Sequence, residues 1–322
     1  MDEGVRNGIE QAAKIISDAK VIVCVGHIAP DADALGSALA FATAAQVAGK
    51  EALASFGDPF VVPENFSFLP QDVLVPPGEV PAEPEVMLAF DTAAVDRLGS
   101  LAANATNAET LIVVDHHASN KGFGALDIID PTAGAAGQLA YTLIRQLGWE
   151  ITPSVATALL AAIVADTGRF QYSSTTSDLM RIGADLVDAG ADPTEIGQNL
   201  FEMVPFGYLQ VMSAVASRAQ LDAERSLVWS VVFHQDLKAG GITYEHSDGL
   251  IDSIRIANEA EVALLLKEVE TGFKGSLRSR GRIDVGAIAA RFGGGGHHNA
   301  AGFSHEGPID DIVAAVQSHL DA

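Results

Sequence analysis

The chain has one cysteine, few aromatic residues and fewer than half as many basic as acidic side chains, and each shortage excludes something. A single thiol, Cys24, cannot form an intrachain disulfide; lying inside the apolar run Val21 to Val25, it reads as a buried structural thiol. With 19 lysines and arginines against 42 aspartates and glutamates, the formal charge is −23. A surface that tracks long nucleic acid by releasing counterions from many phosphates is therefore excluded, and any anionic ligand has to be short and held locally. No window approaches the roughly 18 uninterrupted apolar residues of a membrane span. The start, MDEGVRNGIEQAAK, has neither the basic head nor the apolar centre of a signal peptide. The expectation is a cytoplasmic protein without a membrane partner. What the chain does have is core material: 48% of its 322 residues are hydrophobic, enough for one large domain or two ordinary ones.

The first half alternates strands and helices. VIVCV (Val21 to Val25) precedes a helical pattern from Leu35 to Ala48; EALASF follows, then a proline-rich connection from Pro59 to Pro84. Next come VMLAF (Val86 to Phe90), a helix near Ala94 to Ala103, LIVVD (Leu111 to Asp115), and helices over Ala133 to Leu147 and Pro153 to Ala165. Continuous apolar strands between helices predict an α/β fold with a mostly parallel sheet flanked by helices, and in such a fold the ligand site lies beyond the carboxyl ends of the strands. Helices dominate from Ser177 to about Gln220. The pattern then changes to strands at SLVWSVVF, VALLLKEVE and GFKGSLRSR, helices near Leu250 and Val285, and a glycine run, Gly293 to Gly296. This predicts a first domain over residues 1–195, a helical linker over 196–220, and a second, smaller α/β domain over 221–322 across a cleft.

Acids and imidazoles gather at the ends of these elements. His27, Asp31 and Asp33 follow the first strand, Asp91 ends VMLAF, Asp115, His116 and His117 end LIVVD, and Asp166 ends the apolar helix ATALLAAIVA. Singly, each has a plain alternative: Asp33 is placed to cap the helix at Leu35, and Asp31 follows a proline as turn residues do. Jointly they would converge on one crevice, where unpaired carboxylates cannot remain charged away from water. Divalent cations resolve that conflict. Oxygen ligands with a minority of imidazoles suit Mn2+ or Mg2+, and a ligand set this large predicts a pair of metals.

HIAPDADALGS, the lone Asp91 after its strand, VVDHHAS and ADTGRFQYSS together resemble the four signature blocks of the DHH phosphoesterases, and GGGGHHNAAG resembles the glycine-rich signature of their DHH-associated C-terminal domain. The resemblance covers nearly the whole chain. Within that superfamily the chain is most similar to the compact soluble nanoRNases, which are oligoribonucleases and pAp phosphatases; some actinobacterial members also hydrolyse cyclic di-AMP and its linear product pApA. The resemblance implies that His27, Asp31 and Asp91 hold one ion and that Asp33, Asp91, His116 and Asp166 hold a second, most simply both Mn2+, with Asp91 bridging. It further implies that Asp115 orients an imidazole and that His117 faces the scissile phosphate or leaving oxygen.

Substrate grip is assigned to the second domain. KGSLRSRG places Ser276, Arg278 and Arg280 at alternating positions, hence on one face of a strand, with Ser276 and Arg278 the favoured phosphate ligands. Gly295 and Gly296 offer backbone N–H groups as an anion nest, and His297 can donate to a terminal phosphate. The expected activity is two-metal hydrolysis of short oligoribonucleotides or linear dinucleotides to mononucleotides, extending to the 3′-phosphate of pAp. The alternatives are a dedicated cyclic-dinucleotide phosphodiesterase and, in another class, a non-catalytic nucleotide sensor. Enzymes of this type are often dimeric, so a homodimer is left open.

Overall fold

Five apolar segments, Val21–Gly26 (β1), Glu51–Phe56 (β2), Val86–Phe90 (β3), Thr110–Asp115 (β4) and Leu126–Ile129 (β5), form a parallel sheet in the order β2-β1-β3-β4-β5. These strands lack polar alternation because both faces are covered. Ile22, Cys24, Leu88, Phe90, Ile112 and Val114 face one core, and Val23, Val25, Met87, Ala89 and Val113 face the other. In this computed structural model residues 2–320 are described, and they divide into two units, the first ending at Glu202 and the second beginning at Met203.

On the first core lie the helices Glu3–Asp18 (α1), Ala32–Val47 (α2), Ala136–Leu147 (α4) and Pro153–Asp166 (α5). The second core is covered by a 3-10 segment, Val95–Leu101, running into Ala102–Asn107 (α3). A continuous helix expected near Ala94 to Ala103 is thus interrupted. Gly99 takes φ 58° there, and a Cβ on it would lie 2.3 Å from the Ile28 side chain. The unit ends with Ser177–Asp188 (α6), Pro193–Gly197 (α7) and a π-helical turn, Gln198–Glu202.

Helix α2 is buried almost all the way round, from Ala32 to Ala45, because it sits between β1 and β2 on one side and α4 and α5 on the other. Such a position requires small side chains. At Gly36 an added Cβ would lie 2.6 Å from the Ala158 carbonyl oxygen of α5, and at Gly137 of α4 it would lie 2.7 Å from the Ala162 Cβ. This close approach brings the amino ends of α2 and α4 to the same edge of the sheet.

The second unit has a mixed sheet. Phe206–Arg218 (α8) leads into Gln220–Asp222 (β6), Leu227–Val232 (β7), His234–Gly240 (α9), Asp252–Arg255 (α10), Val262–Val269 (β8), Gly272–Ser279 (β9), Val285–Arg291 (α11), Gly295–Gly296 (β10), Ala300–His305 (β11) and Ile309–Leu320 (α12). Strand order is β10-β11-β9-β8-β7-β6, parallel only between β7 and β8. α11 and α12 cover one face, and α8, α9 and α10 pack over part of the other. The helix expected near Leu250 is a 3-10 turn, Glu245–Ile251, continued by α10. Among the described residues no helix is long and apolar enough to cross a membrane.

The helix contact at Gly36 makes a prediction. Gly36→Val should destabilise the protein by at least about 2 kcal/mol, because the clash is with fixed backbone. Gly78→Ala, where nothing lies within 4 Å of the new Cβ, should change stability by less than about 0.5 kcal/mol. Urea denaturation of both variants checks this, and equal effects would contradict it.

Candidate metal centre

The strand order reverses at β1, and the crevice beyond the carboxyl ends of β1 and β3 is where such a sheet accommodates a ligand. His27 directly follows β1. Its Nδ1 lies 2.8 Å from the Ile28 carbonyl, which can only accept, so Nδ1 carries the hydrogen. Nε2 then faces Asp91 Oδ2 at 3.7 Å and Asp31 Oδ2 at 4.0 Å. Asp31, not Asp33, caps α2: its Oδ1 accepts from the Asp33 and Ala34 amides, both at 3.0 Å.

Asp33 therefore falls in the first helical turn, fully buried, and its anchors are distant. Oδ2 accepts from the Ala136 amide at 2.7 Å; Oδ1 accepts from the Gly137 amide at 2.8 Å and from Ser37 Oγ at 3.1 Å. A carboxylate at the amino end of α4 is favoured by the exposed N–H groups and by the helix dipole.

Asp91 closes β3 with φ 50°, a left-handed conformation unusual for a residue with a side chain. Its amide donates to Val114 at 3.0 Å, and Thr92 Oγ1 donates to Phe90 at 2.9 Å, which holds the turn. The buried carboxylate is flanked by His116 Nε2 at 3.4 Å and His117 Nδ1 at 3.5 Å on Oδ1, and by His27 on Oδ2. Oδ1 accepts no well-formed hydrogen bond among the described residues.

His116 repeats the logic of His27. Nδ1 donates to the Ala133 carbonyl at 3.1 Å, directing Nε2 to Asp166 Oδ2 at 3.1 Å and to Asp33 Oδ2 at 3.5 Å. The Ala133 carbonyl is itself set by Asp130, whose Oδ1 accepts from the Thr132 amide and hydroxyl while its carbonyl accepts from the Ala133 amide. His117 differs. Its Nδ1 donates to Asp115 Oδ1 at 2.8 Å, and Asp115, fully buried, also accepts from the His116 amide at 2.8 Å and from Asn120 Nδ2 at 2.6 Å.

Ligand atoms of His27, Asp31 and Asp91 lie within 4.8 Å of one another, as do those of Asp33, Asp91 and His116, so Asp91 is common to both trios. A third trio, Asp91, Asp115 and His117, is closed by its own hydrogen bonds. Two imidazoles whose Nδ1 hydrogens are committed to carbonyls aim Nε2 lone pairs at carboxylate oxygens, an arrangement that repels unless a cation intervenes. In the protein alone that cation is a proton. Burial, with Asp91 and Asp166 beside it, pushes the Asp33 carboxyl well above its usual range. Burial opposes charge on His116, but its bonds to Asp166 and Asp91 outweigh this and hold its proton well above the usual imidazole range. Burial likewise disfavours charge on Asp91, yet His116, His117 and His27 together hold it below. Divalent cations beside Asp91 would replace these protons, and the donor set fits them.

The second unit carries the remaining predicted residues. Ser276 and Arg278 are half-buried on β9 and alternate with the buried Gly275, Leu277 and Ser279, so they share one face of the sheet. Arg280 lies beyond β9 and is exposed; its Nη2 donates to the carbonyls of Ala257 at 2.9 Å and Ile256 at 3.4 Å, which gives it a structural task. Gly295 and Gly296 form β10 opposite Gly302 and Ala301, and a Cβ on Gly296 would lie 2.5 Å from the Ala300 carbonyl. The turn closes with the His297 amide donating to Ala300 at 2.7 Å. Of the aromatics after Asp166, Phe170 packs against Gly183 of α6 as core, and the Tyr172 ring lies on Gly168.

Three supporting residues are absent from the sequence reading: Asn120, Thr92 and Asp130. Asp130-Pro131-Thr132 is a recognisable turn signal, whereas nothing local marks Asn120.

The proton arrangement sets the sign of a pH effect. Asp33 and His116 are raised, so protons compete with metal at low pH, and Mn2+ affinity should tighten by at least about tenfold between pH 6 and pH 8. Calorimetric titration at the two pH values measures it; a pH-independent affinity would contradict the assignment.

Comparison with known proteins identifies the family. Residues 21–163 match the N-terminal domain of the DHH family, and residues 213–321 match the DHHA1 domain. A bifunctional oligoribonuclease and PAP phosphatase, NrnA of Thermus thermophilus, is 34% identical over 303 residues, covering 92% of this chain and 87% of that protein. The cyclic-di-AMP phosphodiesterase GdpP of Bacillus subtilis is 24% identical and covers 96% of this chain, which spans 49% of GdpP. Among solved structures, an exopolyphosphatase-related protein from Bacteroides fragilis shares the fold with a TM-score of 0.88 at 23% identity, covering 98% of this chain and 96% of that one. The chain belongs to the DHH family and is a metal-dependent phosphoesterase.

Proposed function

We propose that the protein is a two-metal phosphodiesterase that cuts short oligoribonucleotides and linear dinucleotides such as pApA to mononucleotides, and that the same centre removes the 3′-phosphate of pAp. The observation that carries this reading is the buried Asp91 carboxylate shared between two ligand trios. In this reading His27, Asp31 and Asp91 hold one ion and Asp33, Asp91, His116 and Asp166 the other, and both ions are Mn2+. When bound, such a pair supplies an activated water and positive charge opposite the phosphoryl oxygens.

The protein's own groups do the rest. Asp115 binds His117 through Nδ1, so Nε2 is the nitrogen available to pass a proton to the leaving oxygen. Burial disfavours the charged ring, but the bond to Asp115 and the nearby Asp91 outweigh it, so His117 keeps its proton above the usual pH. Ser276, Arg278, Gly295, Gly296 and His297 take the substrate phosphate that is not being cut, and Arg280 steadies the loop at Ala257. The net charge of −23 favours this division, because it repels long polyanions while a substrate of a few nucleotides is held by metals and a small number of donors. In this reading the enzyme works in the cytoplasm.

Similarity to GdpP supports a second reading, a dedicated cyclic-di-AMP phosphodiesterase. A product time course with Mn2+ on pApA, a short RNA, pAp and cyclic di-AMP separates the two. Linear substrates should turn over much faster than cyclic di-AMP. Asp91→Ala should lose at least about 100-fold, the upper end of the cost of losing an outer partner of a metal site. Faster cyclic turnover selects the second reading, and wild-type rates in Asp91→Ala would overturn the two-metal assignment.

A further inference from the structure

Asn120 is buried, and every polar group of its amide is used. Nδ2 donates to Asp115 Oδ2 at 2.6 Å and to the Thr92 carbonyl at 3.1 Å, while Oδ1 accepts from the Gly122 amide at 2.8 Å. It therefore links the end of β4 to the residue that follows Asp91 on β3. Asp115 has two jobs to divide between its oxygens: Oδ1 takes the His116 amide and His117 Nδ1, both at 2.8 Å, and Oδ2 takes Asn120. Without the amide, Oδ2 would be a buried, unsatisfied acceptor, and the carboxylate would have reason to rotate away from His117.

We propose that Asn120 is a positioning residue that acts through Asp115: it fixes the carboxylate so that His117 keeps its Nδ1–H on Asp115 and turns Nε2 towards the substrate. This rests on the phosphodiesterase reading and gives His117 its support. The chain is Asn120 to Asp115 to His117, three side chains linked by bonds of 2.6 and 2.8 Å, and it is separate from the trios assigned to metal. The second Nδ2 hydrogen, on Thr92, keeps the amide from turning over, because only the N–H side fits between two acceptors.

Two measurements test it. The first is a double-mutant cycle with Asn120→Leu, which preserves volume and removes the donors, combined with His117→Ala. In the wild-type background Asn120→Leu should lower kcat by about 10- to 100-fold and leave KM within about twofold. In the His117→Ala background it should change kcat by less than about twofold, and the thermal shift produced by Mn2+ should be retained throughout. Additive losses, or loss of the Mn2+ shift, would overturn the proposal, since Asn120 would then act as packing or through Asp91. Asn120→Ser, whose hydroxyl is too short to reach Asp115, runs through the same cycle if the leucine variant does not fold.

The second is the imidazole nitrogen NMR spectrum of the Mg2+-loaded protein, which needs no turnover. In the wild type His117 should show an Nδ1–H signal carrying the signature of its bond to Asp115, and that signal should be shifted or lost in Asn120→Leu; an unchanged spectrum would overturn the proposal. If the wild type hydrolyses none of the substrates, the phosphodiesterase reading fails and the spectrum still decides the role of Asn120.

Discussion

Everything at this centre follows from carboxylates forced together where water cannot screen them. Asp33, Asp91 and Asp166 all approach His116 Nε2 within 3.5 Å, and His27 Nε2 faces Asp91 from the other side. Charges of one sign at such separations, buried, cannot all persist without a compensating cation. The partners these acids share are imidazoles, His27 and His116. Backbone carbonyls at Ile28 and Ala133 spend the Nδ1 hydrogens of the two histidines and turn both rings into acceptors aimed at the same acids. These groups could hold a metal ion, and the fold bears the cost of assembling them.

That cost is spread over the sheet and its helices. A left-handed Asp91 stores strain of about 1–3 kcal/mol, retained because its amide and Thr92 are tied to β3 and β4. Asp33 is held by the amino end of α4, and α4 can reach it only because α2, α4 and α5 pack through Gly36, Gly137 and alanines. Packing, strain and charge therefore have one purpose, and a defect in the helix contact reaches the acids through the Ala136 and Gly137 amides. In the second unit Ser276 and Arg278 share one strand face, with a glycine hairpin beside them.

Much of this is legible in the amino-acid order. The runs VIVCV, EALASF, VMLAF and LIVVD are strands because continuous apolar residues without alternation suit a sheet buried on both faces, and acids at their ends mark the crevice. Short or composite elements are less legible. β5 is a four-residue edge strand containing Asp127, too brief to show a pattern, and the Val95–Leu101 segment departs from helix at Gly99 for a contact with Ile28 that no local pattern records. α1 carries an amphipathic row of Val5, Ile9, Ala12 and Ile16 and could have been read, as could α12. The cap of α2 is Asp31 because Asp33 is claimed by amides more than a hundred residues away, and Asn120 has a role only through its neighbours in space. Such supports are tertiary facts.

The central claim is that Asp91 joins two metal sites, and metal content per chain tests it most directly. After loading with Mn2+ and removal of excess, elemental analysis should find two ions per wild-type chain, one in His27→Ala, one in His116→Ala, and fewer than one in Asp91→Ala. A wild-type chain that holds a single ion, or an Asp91→Ala chain that still holds two, would contradict the account.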